Sequence, residues 1–410
     1  MTQQNKICVV GLGYVGLPLI KLFAKHFATV GYDTDHKRIE QLEGTENIFF
    51  TDDINEVGKQ ECNFYVVAVP TPVDNHNRPD LQPLLSASQA VGSVIRRGDI
   101  VVYESTVYPG MTEDVCVPQI EAASGLRFNE DFFVGYSPER VNPSDVVHQT
   151  ENICKVVSGS TPEVAKRVTE IYGTIIDAGI HTAPSIRVAE AAKLLENTQR
   201  DVNIALINEV AKLFAAMGIS TADVLAAART KWNFVDVRPG LVGGHCIGVD
   251  PYYLIEKARE YDIVPNVVVS ARQVNDNMGI YVAEESLKLM EKRGLTVSNA
   301  RMLILGFTFK ENCPDVRNTR VADIYKVLSK HSQNVEIYDP VCDPNVVNKT
   351  YGIDILTNFD KVGRGCYSAV IVAVAHKEFK DIDFRSLLVS DGIIYDVKGI
   401  CPPEVATARL

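Results

Sequence analysis

The sequence predicts an α/β protein: two Rossmann-like, doubly wound domains joined by a long central helix and a helical region. Three observations predict it. Short apolar runs alternate with helical stretches over the first part of the chain, and a glycine-rich turn follows the first run. A stretch from Ile186 to Met217 holds no Gly or Pro. The last third then resumes the strand–helix alternation. The implied domains are 1–182, 183–294 and 295–410, and a chain of 410 residues is long enough for several cores.

In the first domain "KICVVGLG" reads as a buried strand and "VGLPLIKLFAKHF" as the helix after it. "TVGYD", "FYVVAVP", "DIVVYEST" and "DFFVGYSPER" are further strands. Strands separated by helices imply a parallel sheet covered on both faces. In the middle domain Ala191, Leu194, Leu195, Ile204, Ile207, Val210, Ala211 and Phe214 recur at helical spacing. At 1.5 Å per residue this helix approaches roughly 45 Å, a natural spine for a homodimer. More helices are expected to about residue 293, and "KWNFVDV" among them reads as a packed loop. In the last domain "ARMLILGF", "NVEIYDP", "SAVIVAVAH" and "GIIYDVKG" are strands, with a helix over "TRVADIYKVLSK". Its second strand ends in Tyr338-Asp339, as the second strand of the first domain ends in Tyr32-Asp33. The glycine fingerprint is missing from this copy, so its nucleotide site is lost or changed.

The composition is that of a globular protein, 46% hydrophobic and 23% charged, with net charge −11. A nucleic-acid partner would call for a basic face, so that class is set aside. The nine cysteines are odd in number and show no CxxC pair or metal-ligand spacing, which implies a reduced, cytoplasmic protein with no metal. The N-terminus runs into a strand without a signal peptide, and no apolar run reaches the roughly 18 residues of a membrane span.

"VVGLGYVG" sets Gly11, Gly13 and Gly16 in GxGxxG spacing. The first glycine makes the tight turn, the second admits a pyrophosphate, and the third lets helix pack on strand. The spacing alone is weak. Here it follows a strand, opens a helix and precedes Asp33, which lies 22 residues after Gly11, where a carboxylate binds a ribose 2′-OH. A carboxylate there repels a 2′-phosphate, so NAD is favoured over NADP.

"LVGGHCIGVDPYYL" raises a different question. Cys246 stands in a flexible turn, beside His245 and four residues before Asp250. A metal ligand would need partners at suitable spacing, and a redox thiol a resolving cysteine. A nucleophile would need a thiolate and a path for its substrate, which Gly243 and Gly244 would supply. The residues alone leave open a nucleophile or an inert buried thiol.

Taken in order, "CVVGLGYVGLP", "VPTP", "ESTVYPG", "SPER", "AEAAKLLENT", "NIALINE", "GGHCIGVDPYYL" and "GFTFKENCPDVRNT" resemble the UDP-sugar 6-dehydrogenases along nearly the whole chain. That family oxidises a C6 alcohol to a carboxylate. "GGHCIGVDPYYL" and "SPERVNPSD" look most like its bacterial UDP-N-acetylhexosamine branch, for which His245 is informative. The resemblance implies a four-electron oxidation of UDP-GlcNAc or UDP-GalNAc, with UDP-glucose or UDP-ManNAc as alternatives, serving bacterial surface polysaccharide synthesis. Two equivalents of NAD would be consumed and a thioester formed on Cys246. It implies that Lys193 and Asn197, at i and i+4 on the long helix, stabilise oxyanions and contact substrate. It pairs Asp250 with Lys193 in activating water, and gives Thr106 and Glu139 water-holding and acid/base roles. Gly243, Glu139 and Lys310 would also contact the UDP-sugar. Tyr14, Val15, Thr71, Thr106 and Arg317 would join Gly11, Gly13, Gly16 and Asp33 around NAD.

Each residue also has a plainer reading. Lys193 and Asn197 taken alone read as solvated surface, Asp250 before Pro251 as turn chemistry, and Thr106 as a helix cap. Glu139 and Arg140 read as a surface ion pair worth little. Two rival functions stand beside the family reading: a two-electron hydroxy-acid type dehydrogenase and a non-catalytic NAD sensor.

Overall fold

The computed structural model describes residues 5–44, 48–74, 76–141 and 147–410, so Asn142 to Asp145 of "SPERVNPSD" lie outside the described residues. The chain divides into two compact units. The first takes Met1–Glu196 and Tyr252–Ile263, and the second Asn197–Pro251 and Val264–Leu410.

The first unit is built on eight strands: β1 Lys6–Val10, β2 Ala28–Tyr32, β3 Phe49–Thr51, β4 Phe64–Val67, β5 Ile100–Tyr103, β6 Phe133–Tyr136, β7 Lys155–Gly159 and β8 Ile180–Thr182. They lie in the order β3-β2-β1-β4-β5-β6-β7-β8. Neighbouring strands run parallel except β6 and β7, which pair antiparallel through Gly135–Gly159 and Tyr136–Ser158. The sequence reading expected a parallel sheet throughout. Parallel neighbours need a crossover. Among the described residues between β6 and β7 the only helix is the single turn Thr150–Asn152, too short to carry the chain back. Ile7 and Val9 of β1 enter one core with Leu19, Phe23, Val102, Val168 and Tyr172, while Cys8 and Val10 point the other way and are also buried. Burial on both faces is why these strands read as unbroken apolar runs.

The second unit carries β9 Met302–Leu305, β10 Val335–Tyr338, β11 Tyr367–Val372, β12 Leu388–Asp396 and β13 Ala408–Arg409, all parallel, in the order β10-β9-β11-β12-β13. Met302 and Ile304 join a core with Val282, Ala283 and Ile324; Leu303 and Leu305 join one with Phe379 and Phe384. The alternation along one strand therefore serves two cores, one on each face of the sheet.

The long helix spans Ile186–Met217, 32 residues. Its second-unit part is pinned by buried polar groups. Asp201 Oδ1 accepts from Arg272 Nη1 at 2.5 Å and from Asn275 Nδ2 at 2.7 Å. Asn208 Nδ2 donates to Asn275 Oδ1 at 2.8 Å and to the Gly240 carbonyl at 3.0 Å. Helices Thr221–Ala228, Asn266–Asp276 and Met278–Lys292 follow in this unit. "KWNFVDV" does not pack as expected: Arg229 Nε closes the loop on Asp236 at 2.6 Å, and Trp232 is left 92% exposed. No helix among the described residues is long and apolar enough to cross a membrane.

Candidate active site

At the tip of β1 each glycine has a different physical reason to be there. Gly11 has φ +90, and a Cβ on it would stand 2.7 Å from the Ala68 carbonyl oxygen. A Cβ on Gly16 would lie 1.8 Å from the Gly11 oxygen, so helix Gly16–Phe23 could not pack on the turn. A Cβ on Gly13 would meet nothing within 4 Å. That is the pattern expected where the middle glycine leaves its side open to a diphosphate at a helix N-terminus. Asp33 holds the turn, accepting the Leu12 N–H on Oδ2 at 2.8 Å and the Asp35 N–H on Oδ1 at 2.9 Å. The carboxylate remains half-buried, with lone pairs left for a ribose. These residues fit NAD. Sequence reasoning missed Arg38, whose Nε and Nη2 both donate to the Leu12 carbonyl, at 3.1 and 2.9 Å. Tyr14 is exposed, and Val15 and Thr71 are half-buried.

Thr106 follows the end of β5, with Ser105 Oγ tied to the Val69 carbonyl at 2.7 Å. Lys193 is not a surface lysine: it is 8% exposed, and its Nζ donates to the Glu139 carbonyl oxygen at 2.8 Å. Glu139 and Arg140 do not pair with each other's side chains. Arg140 reaches Glu196, at 2.7 Å, while Glu139 Oε2 lies 3.3 Å from Lys155 Nζ and Glu139 Oε1 accepts the Arg140 and Val141 N–H groups, each at 2.7 Å. Burial alone would raise the Glu139 carboxyl, but Lys155 and the two N–H groups outweigh it and hold it below the usual carboxylate range. One turn before Lys193, fully buried Glu190 accepts the N–H groups of Gly110 at 2.6 Å and Thr112 at 3.0 Å. It fastens the long helix to the segment that follows Thr106, and burial pushes its carboxyl up to about 7.

In the second unit Cys246 is half-buried, with Sγ 3.4 Å from His245 Nδ1. Its carbonyl accepts from Val249 N at 3.0 Å and Asp250 N at 2.8 Å, so the turn feeds the N-terminus of helix Asp250–Arg259. Helix N-termini favour negative charge. The structure gives the two glycines a local reason to be there. A Cβ on Gly243 would stand 2.7 Å from the Asn318 carbonyl oxygen, and one on Gly244, at φ +81, 2.7 Å from the Phe309 ring. They are there so that the cysteine turn can press against the 309–319 loop. Gly244 N donates to the Arg317 carbonyl at 3.1 Å, and Asn318 Nδ2 to the Gly244 carbonyl at 3.0 Å. Asp250 is fully buried, and Asn197 Nδ2 donates to its Oδ2 at 2.5 Å.

The loop that carries Lys310 is anchored by a second carboxylate. Asp339 accepts four backbone N–H groups, from Phe307, Thr308, Val341 and Cys342, and its Oδ2 lies 3.1 Å from His376 Nε2. Burial would raise it; His376 and the N–H groups hold it down at about 2. Fully buried, Asp339 is committed to its own loops where Asp33 is not. The Tyr-Asp ending of this second sheet thus has a structural use of its own. Arg317 pairs with Asp315, its Nε 3.0 Å from either carboxylate oxygen.

Comparison with known proteins gives these features a family. The UDP-glucose/GDP-mannose dehydrogenase family matches in three pieces: its NAD binding domain over residues 5–57 and 43–176, its central domain over 187–277 and its UDP binding domain over 303–403. The chain is 49% identical to a UDP-N-acetyl-D-glucosamine 6-dehydrogenase of Salmonella typhi, covering all of this chain and 99% of that one. It is 50% identical to another so named from Pseudomonas aeruginosa, over the full length of both. A solved UDP-D-ManNAc dehydrogenase from Pyrococcus horikoshii superposes with TM-score 0.89 at 29% identity, over 98% of each chain. Matched in all three domains and along its whole length, the chain belongs to the UDP-glucose/GDP-mannose dehydrogenase family and is an NAD-dependent dehydrogenase of a UDP-sugar.

Proposed function

We propose that the protein oxidises the C6 alcohol of a UDP-N-acetylhexosamine, UDP-GlcNAc or UDP-GalNAc, to the uronate through a thioester on Cys246. The observation that carries the substrate is the roughly one-half identity to two UDP-N-acetyl-D-glucosamine 6-dehydrogenases over the whole chain. NAD⁺ supplies the hydride acceptor, twice per sugar. Gly11, Gly13, Tyr14, Val15, Gly16, Asp33, Thr71, Thr106 and Arg317 hold it. Cys246 Sγ adds to the C6 aldehyde, and water later cleaves the resulting thioester to carboxylate and thiol. Lys193 and Asn197 donate to the oxyanions, Asp250 and Glu139 move the protons, and Thr106 holds the water. Gly243 and Lys310 contact the sugar nucleotide. The division into 1–182 for NAD, 183–294 for dimerisation and 295–410 for the UDP-sugar belongs to the same reading, as does a cytoplasmic enzyme supplying surface polysaccharide synthesis. The test is NADH absorbance with a panel of UDP-sugars. UDP-GlcNAc or UDP-GalNAc should give the highest kcat/KM. A preference for UDP-glucose or UDP-ManNAc would overturn the branch and leave the family intact.

The enzyme also acts as a homodimer through its long helix. Val188, Leu195, Leu206, Leu213 and Met217 are 47 to 65% exposed in a single chain. At 100° per residue all five fall within about 40° of one line along the helix. An apolar stripe of this length facing water is the kind of surface a second copy covers. Leu206→Glu with Leu213→Glu should move the sedimenting species from dimer to monomer mass. A dimer that survives both charges would remove the helix from the interface.

A further inference from the structure

We propose that Glu104 is a positioning residue for Glu139, acting through the Lys155 ammonium that the two carboxylates share. The inference rests on the reading of Glu139 as a proton-handling group; the network itself is read from the first unit alone. Glu104 follows β5 and Lys155 opens β7, and each is 3% exposed. Lys155 Nζ lies 2.6 Å from Glu104 Oε2 and 3.3 Å from Glu139 Oε2. Tyr172, at the end of helix Pro162–Tyr172, donates its hydroxyl to Glu104 Oε1 at 2.6 Å. Among the described residues, two further charged side chains beside Glu139 are engaged elsewhere. Lys193 binds the Glu139 carbonyl rather than its carboxylate, and Arg140 is engaged by Glu196.

Two buried carboxylates against one lysine leave a net negative charge in a place where water cannot screen it. One of the two must be the easier to protonate. Lys155 is nearer to Glu104, yet Glu104 is the one raised. Its side chain is fully buried, whereas that of Glu139 is 12% exposed and has two backbone N–H donors. Burial pushes Glu104 up to about 7, against the pull of Lys155 and with the help of the Glu139 charge. While Glu104 is neutral, the ammonium serves Glu139. Once Glu104 ionises, it competes for the same ammonium, and Glu139 becomes the stronger base. The proton state of Glu104 therefore sets how firmly Glu139 holds its own proton and where its carboxylate rests.

The experiment is the pH dependence of kcat for the full enzyme with NAD⁺ and its UDP-sugar. The parent should show a step near neutral pH as Glu104 ionises. Glu104→Gln should remove the step. Lys155→Met should move it to higher pH, because the cation that lowers the Glu104 carboxyl is gone. A merely structural role would scale the profile without moving it. Glu104→Asp, which keeps the charge one methylene further from Lys155, should retain a displaced step and serves if either other variant fails to fold. Glu139→Gln separates the two readings. Its turnover should fall by about 10²-fold or more, the scale of losing a general acid–base group. Near-normal turnover would overturn the role of Glu139 and this inference together. Lost turnover in Glu139→Gln with an unmoved step in Glu104→Gln would overturn this inference alone.

Discussion

Replacing Cys246 by alanine should end uronate production, and replacing it by serine should trap a sugar ester on the protein. Both follow from the chemistry proposed for this turn. The reaction removes four electrons from C6, two as each hydride leaves, and needs a covalent hold between the two departures. Sulfur adds to the aldehyde, the second hydride leaves from the adduct, and the thioester that remains is a good acyl donor because thiolate is a good leaving group. Stoichiometry is then two NADH per sugar, with no free aldehyde detectable. Serine at 246 would still offer a nucleophilic atom, but the ester it forms loses that leaving group and should hydrolyse very slowly. Intact mass after mixing the serine variant with UDP-sugar and NAD⁺ should show the adduct. The variants should fold, since Cys246 is half-buried and its backbone carbonyl accepts the Val249 and Asp250 N–H groups that start the helix Asp250–Arg259. Two NADH per sugar at a near-normal rate in Cys246→Ala would make the cysteine structural and the thioester wrong.

What the sequence disclosed about this site follows from what each feature depends on. Gly11, Gly13 and Gly16 were legible because their need is local: a positive φ, an open side and a helix packed on its own turn. The helix Ile186–Met217 was legible because helical spacing and the absence of Gly and Pro act within the segment. Three-residue strands such as β3 and β8 were not, being too short to show a period. Strand β7 escaped for another reason. It begins with Lys155, which looks like a surface residue until its buried partners Glu104, more than fifty positions away, and Glu139 are seen. The same holds for pairings. Asn197 could be placed on a helix face from its number, but its bond to Asp250 depends on how distant segments meet. Gly243 and Gly244 stand out in the sequence beside Cys246, but the ring and carbonyl that forbid a side chain there come from Phe309 and Asn318, far along the chain.

Removing the Lys193 ammonium should lower turnover by at least about 10²-fold, the scale of losing one oxyanion donor, and leave NAD affinity unchanged. The cofactor part of this expectation rests on position: the fingerprint glycines and Asp33 belong to β1, β2 and the turns after them, whereas Lys193 Nζ is held on the Glu139 carbonyl. The turnover part rests on where the ammonium is held. A lysine 8% exposed and fixed on a backbone carbonyl at 2.8 Å can donate up to three hydrogen bonds and is already ordered, so little entropy opposes its use as a donor. Its backbone is steadied one turn earlier by Glu190, locked on the Gly110 and Thr112 N–H groups. Two substitutions separate the charge from the packing. Lys193→Met keeps most of the aliphatic stem and removes the donor, whereas Lys193→Ala removes both. If the ammonium stabilises an oxyanion, both variants should lose turnover alike while thermal unfolding distinguishes them. If Lys193 serves only through the packing of its aliphatic stem, methionine should recover much of the rate that alanine loses. Near-normal turnover in a folded Lys193→Ala protein would return the residue to a purely structural place in the helix.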